Sequence, residues 1–212
     1  RYTMNEFLQV IIPAIVAFIA TSWFQPHILR IAKDKNIVDN PDARKLQRIP
    51  IPVMGGIVVV FGILAGLMSF TIFDNVNSML AVIAAVLIIM FVGLVDDIRG
   101  LSPKIRFVIE ILIVLYLIYA TGNQINNFHG LWGINILPDW ASVPLTIFAC
   151  VGIINAINLI DGVDGYSSGY CIMACLYFGY AFFELGNMTM VTLSAIMIAA
   201  LIPFFCCNVF GK

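Results

Sequence analysis

The stretch SMLAVIAAVLIIMFVGLVDD, residues 78–97, decides the fold. From Met79 to Val95 it carries no charge and no strongly polar side chain, and then two carboxylates, Asp96 and Asp97, arrive together. An α-helix needs about 20 apolar residues to cross a hydrocarbon core about 30 Å thick. The run therefore reads as a membrane span over 78–95 with its acids at the membrane edge. Comparable runs lie at about 7–25, 54–73, 105–121, 141–159, 167–184 and 189–207. The expectation is an all-α, polytopic transmembrane helix bundle of seven spans, with residues 1–212 forming a single transmembrane domain. Composition agrees: the 212 residues are 61% hydrophobic and 11% charged, with a mean hydropathy of +1.00. A soluble domain has about 45–50% apolar and about 25% charged residues, so one water-facing core does not account for this chain.

The same numbers exclude other classes. Eleven Lys and Arg against 12 Asp and Glu leave a net charge of -1, and no basic stripe marks a nucleic-acid partner. The five cysteines, Cys150, Cys171, Cys175, Cys206 and Cys207, all sit in apolar runs with no CxxC pair. They read as small lipid-facing or core-facing residues. The first segment is too long, too poor in N-terminal basic residues and without a convincing cleavage site, so it is a span rather than a signal peptide. No internal repeat is visible. The chain runs from Arg1 to Lys212 with no polar tail, and a fragment is expected.

Basic residues sort by loop. Arg30, Lys33, Lys35, Arg44, Lys45 and Arg48 follow span one, Arg99, Lys104 and Arg106 follow span three, and Lys212 follows span seven. Ten of the eleven bases thus fall on alternate connections, and only Arg1 falls on the other side. The positive-inside rule puts those connections in the cytoplasm and the N-terminus outside. The outer connection 122–140, GNQINNFHGLWGINILPDW, is too patterned for a plain linker. Residues 125–137 are expected to form a short hairpin around His129–Gly133, with Trp132 and Trp140 in the interfacial aromatic belt.

Ionisable groups near apolar spans are costly and draw functional attention. Asp96 and Asp97 repel one another at the end of span three unless a cation settles between them. Hard carboxylate oxygens beside a phosphorylated substrate suit Mg2+; a helix-end stop beside Arg99 is the plainer reading. At the end of span five Asn155, Asn158, Asp161 and Asp164 recur every three residues. On a helix or tight helical turn they share one face, and Gly162 and Gly165 let the backbone approach a ligand closely. A cap on span six explains one of these acids, not two acids and two amides. By the charge count both clusters lie on the cytoplasmic side. Two basic groups join the acids: Lys104 and Arg106 after the acid pair, and Lys45 and Arg48 just before Pro50-Ile-Pro52-Val-Met-Gly55-Gly56. Lys104, Lys45 and Arg48 are candidate phosphate contacts, although each alone also fits an anchor on anionic lipid heads. Glu110 is expected to pair with Arg106 at i, i+4. Gly62 with Gly66, and Gly165 with Gly169, have the small-xxx-small spacing of helix packing.

On these residues the chain resembles the polyprenyl-phosphate N-acetylhexosamine-1-phosphate transferase family. Three segments carry the likeness in order: PVMGGI at 52–57, LVDDIRGLSPKIRF at 94–107 and NAINLIDGVDGYSSG at 155–169. The likeness covers essentially the whole chain. The CDP-alcohol phosphotransferases match Asp161-Gly-Val-Asp164-Gly165 alone, with Ser168-Gly169 in place of their Ala-Arg.

The resemblance implies that the phosphate of a membrane polyprenyl phosphate attacks the sugar-proximal phosphorus of a UDP-sugar, giving polyprenyl-diphospho-sugar and UMP. It implies a Mg2+ requirement, with Mn2+ as a substitute, and a homodimer in the inner membrane with its site on the cytoplasmic face. Asp96 would orient or deprotonate the lipid phosphate, and Asp97 and Asp161 would hold the metal. Asn158, Asp161, Gly162 and Asp164, with Asn155 beside them, would hold the nucleotide sugar. Lys104 would take the acceptor phosphate, and Lys45 or Arg48 the nucleotide end. Family members run to ten or eleven spans and carry a further acidic motif and a His-rich loop after the point where this sequence stops. Residues 1–212 are therefore expected to be the N-terminal part of a longer fold. PVMGG and NLIDGVDGY favour a UDP-GlcNAc donor over the alternative, UDP-MurNAc-pentapeptide. The competing class is a cation- or proton-coupled transporter using Asp161 and Asp164, which predicts mid-membrane acids and repeat symmetry. A membrane scaffold is a third.

Overall fold

The computed structural model describes residues 4–35, 38–39, 51–52, 55–69, 76–160 and 165–210. Its elements are α1 (Met4–Asp34), β1 (Val38–Asp39), β2 (Ile51–Pro52), α2 (Gly55–Ser69), α3 (Val76–Arg99), α4 (Pro103–Thr121), α5 (Asp139–Ile160), α6 (Tyr166–Glu184) and α7 (Met188–Phe210). Each of the seven expected spans is a helix. Among the described residues four stretches, Phe7–Asp34, Met79–Asp96, Asp139–Ile160 and Met188–Phe210, are long and apolar enough by themselves to cross a membrane. The others fall short for local reasons. α2 has 15 residues, α4 opens with Lys104, Arg106 and Glu110, and α6 carries Tyr166, Tyr170, Tyr177 and Tyr180.

Helix boundaries depart from the sequence reading at two places that matter. α1 continues past Pro26 to Asp34. A proline removes one N–H donor and its ring crowds the carbonyl one turn earlier, a cost that long apolar helices tolerate, as they do at Pro13, Pro144 and Pro203. α3 runs through the acid pair to Arg99, so Asp96 and Asp97 sit in its last turn rather than after it. The unforeseen pairing of β1 with β2 is antiparallel, Val38 opposite Pro52 and Asp39 opposite Ile51.

The chain divides into two compact units. The first, Arg1–Asp74 with Ile160–Lys212, contains α1, α2, α6 and α7. α1 packs on α2 and α7, and α7 also packs on α6 and α2. Lipid tails are as apolar as leucine, so such contacts rest on close packing of small residues. A Cβ placed on Gly62 would lie 1.8 Å from Thr21 Oγ1 and 3.1 Å from the Ala17 carbonyl oxygen. One on Gly66 would lie 2.9 Å from Ile196 Cγ2 and 3.0 Å from Ala17 Cβ. Both glycines of the small-xxx-small pair are thus closed against α1, and Gly66 also against α7. Ala17, Thr21, Val58, Ile196 and Ala200 are buried around them.

The second unit, Asn75–Leu159, contains α3, α4 and α5. α3 packs along α4, and α4 joins α5 through a polar cluster. The expected outer hairpin is present as one antiparallel bridge, Asn127 to Ile136, closed by a 3-10 turn at Leu131–Gly133.

Candidate functional site

Residues 96–106, DDIRGLSPKIR, are a helix stop, a turn and a helix start. α3 ends because Gly100 takes φ +69, open to glycine at no steric cost. The Gly100 N–H donates to the Asp96 carbonyl oxygen at 2.8 Å, and the Leu101 N–H donates to Asp96 Oδ1 at 2.7 Å. Ser102 has the extended backbone of an N-cap and accepts from the Ile105 N–H at 3.4 Å, with Pro103 as the first helical residue. A turn specified from both ends leaves little freedom in where α4 begins, and it sets Arg106 against Asp96.

Arg106 is the centre of the cluster. Its Nη1 donates to Asp96 Oδ2 at 3.1 Å and to Asn158 Oδ1 at 3.3 Å. Its Nη2 donates to Asn155 Oδ1 at 3.4 Å, and its Nε lies 3.6 Å from Glu110 Oε1. Asn155 Nδ2 donates to Glu110 Oε2 and, at 2.9 Å, to the Val151 carbonyl oxygen. Glu110 is 5% exposed, and in that position a carboxylate persists only when paired and hydrogen-bonded. The anticipated Arg106–Glu110 pair is therefore present, but as one arm of a larger junction. An arginine has five N–H donors; one Nη2 hydrogen has no partner among the described residues.

Of the residues singled out from sequence, the structure brings Asp96, Asn155 and Asn158 together on Arg106. Lys104 is exposed in the first turn of α4 and makes no hydrogen bond or ion pair among the described residues. Asp97 is in the last turn of α3, with its side chain outside the description. Lys45, Arg48, Asp161, Gly162 and Asp164 lie outside the described residues.

Sequence reading missed the hub role of Arg106 and the whole of Asn208. Arg106 reads from sequence as a basic group beside the acid pair and as the partner of Glu110, while Asn155 and Asn158 offer two acceptors on one helix face with no donor named for them. Asn208 has no role in the sequence reading. Its Oδ1 accepts the Gly165 N–H at 2.7 Å, immediately after the Asp161–Asp164 segment. Gly165 has φ +72, and a Cβ there would lie 2.2 Å from Val209 Cγ2, so conformation and space both demand glycine. The available signal was a lone amide in the apolar run Phe204–Phe210.

Among the described residues no group of three or more His, Cys, Asp or Glu side chains is arranged to hold a metal. Both Asp96 oxygens already accept hydrogen bonds. The described residues alone therefore do not make a metal centre. Their charges nearly cancel: Arg106 and Lys104 stand against Asp96 and Glu110.

The family described as glycosyl transferase family 4 matches residues 79–211. The chain is 30% identical over 209 residues to the probable undecaprenyl-phosphate N-acetylglucosaminyl 1-phosphate transferase of Bacillus subtilis (strain 168), covering 96% of this chain and 57% of that protein. It is 29% identical over 197 residues to the undecaprenyl-phosphate alpha-N-acetylglucosaminyl 1-phosphate transferase of Escherichia coli (strain K12), covering 90% and 52%. It is 29% identical over 216 residues to the phospho-N-acetylmuramoyl-pentapeptide-transferase of Staphylococcus carnosus (strain TM300), covering 92% and 67%. The chain thus spans between about half and two thirds of the curated relatives it matches. With four apolar helices of spanning length and relatives named for a polyprenyl lipid, it is a multi-pass membrane protein.

Proposed function

The chain belongs to glycosyl transferase family 4, and from that premise we propose that it forms part of an enzyme moving GlcNAc-1-phosphate from UDP-GlcNAc to a polyprenyl phosphate. An oxygen of the lipid phosphate attacks the sugar-proximal phosphorus, the bond to the UMP phosphate breaks, and UMP leaves. The observation that carries this reading is the convergence on Arg106 of Asp96, Asn155 and Asn158, from two segments far apart in sequence. A guanidinium matches phosphate oxygens with a fork of donors, and phosphoryl transfer is mostly positioning and charge stabilisation.

In this proposal the Nη2 hydrogen of Arg106 that has no partner among the described residues takes a phosphate oxygen, and Lys104 takes the acceptor phosphate. Asp96, held by Leu101 and Arg106, orients the lipid phosphate. Asn158, Asp161, Gly162 and Asp164 hold the nucleotide sugar, and Lys45 or Arg48 its nucleotide end. The near-neutral described cluster does not by itself offset several phosphate charges. Mg2+, with Mn2+ as its substitute, belongs to the proposal for that reason, and Asp97 and Asp161 are the hard oxygen donors assigned to it from sequence. When bound, such an ion neutralises charge developing on phosphate oxygens. The inner membrane, an outside N-terminus, a cytoplasmic site and a homodimer complete the reading.

The test is UMP release from membranes holding the full-length protein, given UDP-GlcNAc and UDP-MurNAc-pentapeptide separately. Release with UDP-GlcNAc alone is expected. Release with the pentapeptide nucleotide alone would replace the donor, and no release with either would remove the activity. Asp97→Asn should abolish metal-dependent release without unfolding the protein; normal release in that variant would remove Asp97 from the metal.

A further inference from the structure

The connection between α4 and α5 contains a structure with no part in phosphoryl transfer. Residues 122–138 hold no Lys, Arg, Asp or Glu, yet they are built with care. The Phe128 N–H donates to the Asn135 carbonyl oxygen and the Leu137 N–H to that of Asn126. Beneath them Ser142 and Thr146 of α5 are buried. Ser142 Oγ donates to the Ile125 carbonyl oxygen at 2.9 Å, and Thr146 Oγ1 accepts the Ile125 N–H at 2.9 Å. Gln124 is tied to Asp139 at 2.8 Å. A hairpin pinned in this way would be expected to turn its apolar side chains inward. It does the reverse: Trp132 is 81% exposed and Ile136 78%.

Backbone conformation sharpens the point. His129 and Trp132 have φ +49 and +54, a region that bulky residues rarely occupy. Glycine or asparagine would sit at position 132 without strain, but the fold holds a large indole there, facing out. Strain of this kind persists where the surroundings impose it, and it marks functional segments. The surface is also continuous with the lipid-facing helices. Tyr119 in the last turn of α4 is 90% exposed, and Trp140 in the first turn of α5 is 80% exposed. Tyrosine and tryptophan concentrate at the membrane–water boundary, where an apolar ring and a polar tip are both accommodated. Among these aromatics stand the amides of Asn123, Asn126, Asn127 and Asn135, polar without charge.

We propose that the 122–138 hairpin, with Tyr119 and Trp140, is an interfacial anchor lying in the headgroup–acyl boundary of the leaflet at this end of α4 and α5, with Trp132 as its deepest side chain. The occupant of the exposed face is lipid. Residues 122–138 hold no Lys, Arg, Asp or Glu, and the carboxylate at their edge, Asp139, is already tied to Gln124. This face therefore has little complementarity to offer a charged partner, and it extends a lipid-facing surface that the membrane spans already define. Anchoring here would resist tilting of α4 and α5, the two helices that carry the Arg106 cluster.

The test reconstitutes the full-length protein in phosphatidylcholine vesicles with every tryptophan except Trp132 changed to phenylalanine, Trp23→Phe and Trp140→Phe among them, so that Trp132 alone emits. Trp132 emission is expected to shift to the blue of a water-exposed indole. Quenching should be stronger with lipids brominated near the head of the acyl chain than near its end, and weak with aqueous acrylamide. Water-like emission open to acrylamide would overturn the proposal. So would an indole shielded from both quenchers, the signature of a second copy or a protein partner. If that variant does not fold, Ile136→Trp with all native tryptophans changed to phenylalanine reads the same face, and the same outcomes apply.

Discussion

Arg106 and Asp96 are ten residues apart in sequence and 3.1 Å apart in space. Their contact joins the last turn of α3 to the first turn of α4 across a glycine stop and a serine cap. The side chains are 23% and 25% exposed. An ion pair that accessible contributes little stability by itself. Its value is directional: Asp96 and Glu110 hold the guanidinium from two sides, so its remaining donors face Asn155 and Asn158.

Arg106→Ala should destabilise the protein by about 3 kcal/mol, because it leaves the buried Glu110 carboxylate without a counter-charge. Arg106→Lys keeps the charge but not the fork, and should cost about 1 kcal/mol. Thermal unfolding in detergent measures both. In the proposed reaction Arg106→Lys should lower turnover about a hundredfold in a folded protein. Wild-type turnover in that variant would remove Arg106 from the site.

Glu110→Gln should be milder than Glu110→Ala. Glutamine keeps an oxygen to accept from Asn155 Nδ2, whereas alanine leaves that amide donor and the Arg106 Nε unmatched. A double-mutant cycle between Arg106→Ala and Glu110→Ala should give a coupling of about 1–3 kcal/mol. Simple additivity would show that the two side chains do not act as one unit.

Gly62→Ala should cost about 1–3 kcal/mol by overpacking α2 against α1, since its Cβ would overlap Thr21 Oγ1. Thr21 Oγ1 is buried with no hydrogen-bond partner among the described residues, so Thr21→Ala alone should leave the melting temperature unchanged or raise it. Adding Thr21→Ala to Gly62→Ala should recover only part of the loss. The Thr21 Cβ and the Ala17 carbonyl oxygen remain, at 3.2 and 3.1 Å from the new methyl.

Asn208→Asp keeps the acceptor for the Gly165 N–H, and Asn208→Ala removes it. The alanine variant should lose about 0.5–1.5 kcal/mol and the aspartate variant less. Protection of the Gly165 amide from hydrogen exchange should fall in the same order. Equal protection in all three proteins would show that Asn208 does not hold this amide.

The seven helices were legible because apolar runs of this length have few alternatives. The α3–α4 turn was legible only in outline. DDIRGLSPKIR displays a glycine stop, a serine cap and a proline at N1, but periodicity does not say that the acids lie inside the last helical turn. Glycine spacing announced the packing of Gly62 and Gly66, though which helix closes on them is a tertiary fact. The Arg106 cluster lay further out of reach. Its partners come from positions 49 and 52 residues downstream, and one sequence carries no register between α4 and α5. The β1–β2 pairing is two residues long, below what alternation can signal.

The bond from Asn208 to Gly165 spans 43 residues, and this has a consequence for how the protein is made. Gly165 leaves the ribosome well before the side chain that accepts its N–H. At about 5–20 residues per second, the interval is on the order of several seconds. During that time α6 and α7 must be threaded into the bilayer before the Gly165 N–H can find its acceptor. The turn at Gly165 therefore cannot be completed vectorially, from what precedes it. It is completed retroactively, when the last helix described here arrives.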